Sequence, residues 1–335
     1  MCSPRSLAPS FLFVSFLCFS LSTVARCQIY NLGELNTEQI RAFDRQKTVV
    51  LFPGGILEEH GPYLPSYTDG YAIAAITQEL ARAIVSRSGW KILLFPQIPL
   101  GHNGANAIGG KYIFPGTYTV RHSTLRAVHM DLAGQFGEQG FRWIFIVHDH
   151  GDPDHNRALD EASDFFTDTY GGVMVHLLGL KPVSDCCGTS QRLLTPEQIT
   201  ENGILVHGDA NETSQMMFLR PDLVRADIHE APSWTGQNFI ELYSLAEKPN
   251  WPGYLGAPRF ASAAFGAQSF QALTGKINET ALQILDGLNW HKIPRFADDV
   301  DPRDKQGLAA ATVNDRNIEK KQLDWMKAHG VLPTP

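Results

Sequence analysis

Residues 48–71 read TVVLFPGGILEEHGPYLPSYTDGY, and this stretch decides both the expected fold and the expected place of the chemistry. The run from Thr48 to Phe52 is short, apolar and rich in valine, which predicts a buried strand. A loop rich in glycine and proline follows, and a helical period then extends from about Gly70 to Arg87. A strand, a loop and a helix in this order are typical of one unit of a parallel α/β sheet.

Further units of the same kind follow along the chain. Predicted strands cover residues 91–96, 142–147 and 171–179, and predicted helices cover residues 123–139, 157–170, 213–223 and 262–288. This alternation predicts the α/β class, with a mostly parallel central sheet between two layers of helices. The length leaves one large domain and two small ones both open.

The first 27 residues have the layout of a secretory signal peptide. Arg5 precedes an apolar run from Phe11 to Leu21, and small residues follow that run. The run is shorter than the ~20 residues that cross a bilayer, and no later segment is long and apolar enough to do so. We therefore expect a secreted or periplasmic protein without stable membrane insertion. A lipid anchor on Cys27 is the alternative.

Charge and cysteine content exclude other classes. The formal net charge is -7, and removal of Arg5 and Arg26 with the signal peptide makes it about -9. No basic run remains for nucleic acid. Cys186 and Cys187 are adjacent, which is typical of a loop pair that is free or joined, and no second pair would complete a cysteine metal site.

Three ligand-type side chains lie in the loop after the first predicted strand. Glu58 and His60 are two residues apart, so an extended segment would present both on one side. Asp69 comes just before the predicted helix. Carboxylates with imidazoles suit zinc, manganese or related divalent ions. The alternative is that Asp69 caps the helix and the other two are solvated.

A second cluster, HDHGDPDH at 148–155, follows the strand predicted at 142–147. Since ligands bind at the carboxyl ends of parallel strands, both clusters could meet at one edge of the sheet. Together the two clusters offer more oxygen and nitrogen donors than one tetrahedral ion needs. Two ions that share a carboxylate would use all of these donors. An acidic surface loop is the alternative.

A third stretch, HGDANETS at 207–214, gives weaker signals. His207 follows the apolar residues 204–206 and would lie at another strand end. Glu212 is equally typical of the first turn of a helix, where an acid is favoured.

The residues PGGILEEHGPYLPSYTD resemble the signature of the creatininase (creatinine amidohydrolase) family. Three further stretches agree with that family in order: FPGTYTV at 114–120, HGDANETS at 207–214 and GYLGAPRFASAAFGAQ at 253–268. The resemblance spans roughly residues 46–290 and is far more specific than any single motif. It implies a creatininase-like α/β/α domain over 28–292, with residues 293–335 as a C-terminal tail.

The resemblance also implies a dinuclear site with two divalent ions, Zn2+ and/or Mn2+. The implied ligands are Glu58 and His150 for one ion, His60 and Asp152 for the other, and Asp69 bridging both. His207 matches the catalytic histidine, and Glu212 would orient His207 or a ligand. Asp152 is shorter than the glutamate of the family, which leaves Asp154 and His155 open as the fifth ligand.

The implied function is a secreted metal-dependent amidohydrolase that cleaves a C–N bond of a small cyclic amide, formamide or related amide. Tyr63 and Val206 replace residues of creatininase itself, which argues against creatinine as the substrate. A peptidase-like member acting on a short peptide and a non-catalytic metal-binding or ligand-binding protein are the alternatives. A homo-oligomer, a hexamer by resemblance, is expected.

Overall fold

The run that begins at Thr48 forms the central strand of a parallel sheet. The structure is a computed structural model that describes residues 28–186, 193–299 and 305–331. The strands within them are β1 Ile29–Asn31, β2 Thr48–Gly55, β3 Lys91–Leu94, β4 Trp143–Asp149 and β5 Val173–His176. Their spatial order in the sheet is β1, β3, β2, β4, β5, and neighbouring strands are parallel.

Helices cover both faces of this sheet. Alternate residues of β2 point to opposite faces. Val49 and Leu51 pack with α2 (Thr68–Val85) and α9 (Ala263–Leu285), whereas Val50 and Phe52 pack with α3 (His122–Glu138) and α4 (Pro153–Tyr170). The predicted three-layer α/β/α arrangement is therefore confirmed. The helices are α1 Thr37–Arg41, α2 Thr68–Val85, α3 His122–Glu138, α4 Pro153–Tyr170, α5 Lys181–Ser184, α6 Pro196–Asn202, α7 Ala210–Leu219, α8 Phe239–Ala246, α9 Ala263–Leu285 and α10 Lys305–Ala328.

The register of β2 against β4 brings two chain segments together. The pairing runs from Val49 opposite Trp143 to Gly55 opposite Asp149, so both strands end at the same level. The loops that follow them therefore start side by side at one edge of the sheet, as the parallel topology predicts.

The strand end predicted before His207 is wrong. In the structure His207 makes only an isolated bridge to Leu255. Ile204 and Val206 are partly buried and pack in a small cluster with Trp251 and Leu255. The apolar run thus anchors a loop against a neighbouring loop instead of joining the sheet.

The C-terminal tail contains a helix that packs on its own chain. In α10, Asp315 accepts a hydrogen bond from the backbone N–H of His122 (2.9 Å), and Glu319 pairs with Arg121 (2.9 Å). Among the described helices, none has the length and apolar content to cross a bilayer. The predicted signal peptide and Cys187 lie outside the described residues.

Candidate metal centre

Buried acidic and imidazole side chains lie together between the end of β2 and the first turn of α2. Glu58, His60 and Asp69 are 1, 2 and 6% exposed. A Cβ on Gly55 would lie only 2.7 Å from the backbone nitrogen of Gly70, so strand and helix approach at a distance that only glycine permits. Asp69 therefore lies at the carboxyl-terminal end of β2. It is in the first turn of α2, where the helix dipole favours a carboxylate.

The end of β4 and the start of α7 bring further groups to the same edge. His150 directly follows β4, and its side chain is only 8% exposed. His207 lies in the loop before α7, and Glu212 lies in the first turn of that helix, which Asp209 caps. The structure thus brings together side chains from three separate segments of the sequence.

Glu58, Asp69 and His150 form one group of ligand atoms. These atoms all lie within 4.8 Å of one another. The Nδ1 atom of His150 is 3.1 Å from Oε2 of Glu58 and 3.8 Å from Oδ2 of Asp69. Two carboxylates and one imidazole nitrogen converge here on a single point.

Asp69 also faces a second histidine with its other oxygen. Its Oδ1 atom lies 3.2 Å from Nε2 of His60, and the same nitrogen lies 3.6 Å from Oε2 of Glu212. His60 and His150 therefore approach opposite oxygens of one carboxylate, which is the arrangement expected of a bridging ligand. Glu58, His60 and His207 also place ligand atoms within 4.8 Å of one another.

Each of the three histidines binds a main-chain carbonyl with its other ring nitrogen. His60 Nδ1 is 3.0 Å from the carbonyl oxygen of Glu58, and His150 Nε2 is 3.0 Å from that of Asn103. His207 Nε2 binds the carbonyl of Glu59. Because a carbonyl oxygen only accepts, these nitrogens carry the protons. The nitrogens that face the carboxylates then have none when the rings are neutral.

Buried lone pairs that face each other across about 3 Å repel unless a metal ion or a proton lies between them. His60 Nε2 and Asp69 Oδ2 are both buried without a hydrogen-bond partner. A histidine whose second nitrogen donates to a carbonyl is typical of a metal ligand, since that bond fixes the tautomer. The donor set of carboxylates and imidazoles fits Zn2+ or Mn2+.

Without an ion, protons supply the missing positive charge. Burial alone lowers the pKa of His150, but the carboxylates of Glu58 and Asp69 outweigh burial and raise the pKa to about 10. The pKa of His207 also rises well above its usual value, because Glu58 and Glu59 outweigh the effect of burial. For Glu58, burial acts upward, but His150 and His207 outweigh it and hold the pKa well below its usual range.

The match to a family model decides the family. The model for creatininase, described as creatinine amidohydrolase, matches residues 33–281, which is about three quarters of the chain. This chain belongs to the creatininase family. The family expected from the sequence motifs is thereby confirmed, and so is the hydrolase class.

Individual relatives agree with this membership. A creatinine amidohydrolase of Pseudomonas putida is 28% identical over 203 residues, which cover 58% of this chain and 74% of the relative. A crystal structure of a creatininase superimposes with a TM-score of 0.58 at 23% identity, covering 78% of this chain and 99% of the other. A manganese creatininase gives a TM-score of 0.57 at 22% identity, covering 76% and 98%. These structural likenesses show the shared fold.

The aspartate predicted as fifth ligand is hydrogen-bonded at the start of α4 and to Asn103. Asp152 is the N-cap of α4, and its two oxygens accept hydrogen bonds from the backbone N–H of His155 and from Nδ2 of Asn103, each at 2.7 Å. Asp154 approaches Arg157 at 3.7 Å, and Nε2 of His155 faces Nδ1 of His148 at 3.1 Å. The ligand role of Asp152 stays a prediction, and this geometry does not support it.

Sequence reasoning did not single out Asp149, the last residue of β4. Burial raises the pKa of its carboxyl, and together with the nearby carboxylates of Asp69 and Glu212 it brings that pKa to about 8. Asp149 is thus part of the same electrostatic cluster as the candidate ligands. Strand alternation after the apolar β4 run could have placed it on the face opposite His148.

Proposed function

We propose that this protein is a metal-dependent amidohydrolase that cleaves a C–N bond of a small cyclic amide, formamide or related amide, using two divalent ions, Zn2+ and/or Mn2+. Family membership supports the reaction class. One observation carries the two-ion proposal. The Nε2 atom of His60 and the Nδ1 atom of His150 approach opposite oxygens of the buried Asp69, at 3.2 and 3.8 Å.

Named residues would hold the ions. Glu58, Asp69 and His150 would hold the first ion, and His60 with Asp69 would hold the second. When bound, the ions supply Lewis acidity, which polarises a carbonyl group and makes hydroxide available near neutral pH. The burial of the surrounding carboxylates strengthens that effect, because a site poor in water screens charge weakly.

His207 is suited to carry the proton. Its Nε2–H donates to the carbonyl of Glu59, which leaves Nδ1 to titrate, 3.6 Å from Oε1 of Glu58. Hydrolysis adds OH to the carbonyl carbon and H to the leaving nitrogen. Nδ1 of His207 would accept the proton of the attacking water and return it to that nitrogen.

Glu212 holds the segment that carries His207. Its Oε2 accepts a hydrogen bond from the backbone N–H of Gly208, the residue after His207, at 2.6 Å. The carboxylate therefore restrains the loop at the position next to the proposed acid–base group, consistent with the orienting role expected from the sequence.

The test is a substrate panel with wild type, His207→Gln and, as the control, His229→Gln, which alters an exposed histidine. The panel contains cyclic amides including creatinine, formamides and short peptides. We expect hydrolysis of a small amide, a loss of roughly 10²–10⁴-fold in His207→Gln and no loss in the control. Cleavage of peptides alone would favour the peptidase alternative. Bound metal without any hydrolysis would favour the non-catalytic alternative.

We also propose export and self-association. The layout of residues 1–27 supports export, and N-terminal sequencing of the mature protein tests it. The family resemblance supports a homo-oligomer, which light scattering tests. An uncleaved N-terminus or a monomer would contradict the respective proposal.

A further inference from the structure

Asp152, the sequence-based choice for a ligand of the second ion, is already committed to a structural role. Both of its oxygens accept hydrogen bonds at 2.7 Å, one from the start of α4 and one from the Asn103 side chain. Pro153 follows at the first helical position, so the pair forms a favoured helix start. No described ion pair joins Asp152 to His60, whereas Asp69 and Glu212 both approach that ring.

Glu212 lies where this second position lacks a ligand. Its Oε2 atom is 3.6 Å from Nε2 of His60, the buried nitrogen without a partner. That nitrogen lies 3.2 Å from Oδ1 of Asp69. The hydrogen bond from Gly208 uses one lone pair of the Glu212 carboxylate and leaves others to coordinate.

The alternation of side chains along β4 places Asp149 on the same side of the sheet as Asp69. Phe145 and Val147 of β4 pack on the side of α2 and α9, and residues two apart share a face. Asp149 therefore lies on the side where α2 begins with Asp69, whereas His148 points to the opposite side.

We propose that Glu212 and Asp149 complete the second metal position together with His60 and Asp69, and that Asp152 acts as a helix cap. This inference rests on the proposed dinuclear site and specifies its ligands in this chain. The second position then has three carboxylates and one imidazole, and the first has two carboxylates and one imidazole. The shortened Asp152 and the changed loop after His150 thus leave a complete set of donors.

Metal content of the full chain tests the assignment, measured by elemental analysis after dialysis against buffered Zn2+ or Mn2+. The variants Glu212→Gln, Asp149→Asn and Asp152→Asn each replace one carboxylate by its amide. We expect two ions in wild type, one ion in Glu212→Gln and in Asp149→Asn, and two ions in Asp152→Asn. The last variant should show a lower melting temperature, because an amide has one acceptor oxygen and cannot accept from both the start of α4 and Nδ2 of Asn103 as the carboxylate does.

A second measurement separates loss of an ion from loss of folding. With Mn2+, electron paramagnetic resonance should show a coupled pair in wild type and in Asp152→Asn, and an isolated ion in folded Glu212→Gln. Loss of an ion only in Asp152→Asn, or two ions in all three variants, would overturn the assignment. A wild type that binds no ion would refute the proposed dinuclear function itself.

Discussion

Two groups of buried histidines lie on either side of the end of β4, and they differ in their partners. The site histidines face carboxylates, whereas the interior histidines face carbonyl oxygens and one another. The site group is His60, His150 and His207, and the interior group is His129, His148, His155 and His176.

Partners, not burial, decide the charge of these groups. Burial lowers the pKa of His129 and of His176 to about 4, because no carboxylate compensates for the lost water. Carboxylates raise the pKa of the similarly buried His150 to about 10. The interior group is therefore neutral and structural, while the site group attracts cations.

Hydrogen bonds in the interior group also decide which ring nitrogen of His155 and of His176 carries the proton. The backbone N–H of His102 donates to Nδ1 of His155 (3.2 Å), so Nε2 of His155 carries a proton and donates to Nδ1 of His148 (3.1 Å). His176 Nε2 donates to the carbonyl of His148 (3.0 Å). These bonds hold the end of β4 in place immediately before His150.

The largest expected effect is loss of metal binding at the site group. Asp69→Asn should abolish binding of both ions, because one carboxylate serves both positions. Elemental analysis after dialysis measures the ions. Asp160→Asn is the matched control, since Asp160 is similarly buried, at 4% exposure against 6% for Asp69, and belongs to neither described group of candidate ligands. Two ions retained in Asp69→Asn would contradict the bridging role.

A smaller effect is expected in the interior group, where His129 makes the stability depend on pH. The pKa of His129 is about 4 when folded and about 6.5 when unfolded. A depressed histidine pKa gives stability that is complete above pH 6.5 and is lost as the pH falls toward 4. Urea unfolding of the metal-free protein should therefore lose about 2 kcal/mol between pH 7 and pH 5 from this residue alone.

His129→Phe should remove that part of the acid sensitivity, whatever it does to the stability at pH 7. His229→Phe, at an exposed histidine, is the control and should keep it. An unchanged slope of unfolding free energy against pH in His129→Phe would show that His129 does not stay neutral in the fold.

The smallest expected effect concerns the support from α10. Asp315 accepts the backbone N–H of His122 at the start of α3, which has no side-chain cap of its own. Asp315→Ala should cost about 1 kcal/mol of unfolding free energy and leave the metal content unchanged. Asp324→Ala, at an exposed carboxylate of the same helix, is the control. Loss of an ion in Asp315→Ala would mean that α10 belongs to the site.

The sequence predicted the central units of the fold well, because β2 and β4 are long apolar runs and α2 and α9 have clear helical periods. It missed β1, whose three residues are only partly buried or exposed at the sheet edge. It misjudged residues 204–206, because an apolar run that packs in a loop cluster has the same composition as a strand.

For the site, the motifs located Glu58, His60, Asp69, His150 and His207, which the structure brings together. The motif spacing could not show that Asp152 is used by α4, although aspartate before proline is itself a signal for a helix start. Asp149 escaped notice because three aspartates lie within 149–154, and only the register of β4 decides which of them faces the site.

The central claim is that Asp69 bridges two ions. The most direct measurement is anomalous diffraction at the zinc edge from crystals of the mature protein grown with Zn2+. We predict two peaks on opposite sides of Asp69, one beside Glu58 and His150 and the other beside His60. A map without a peak at Asp69, or with zinc only between His148 and His155, would contradict the claim.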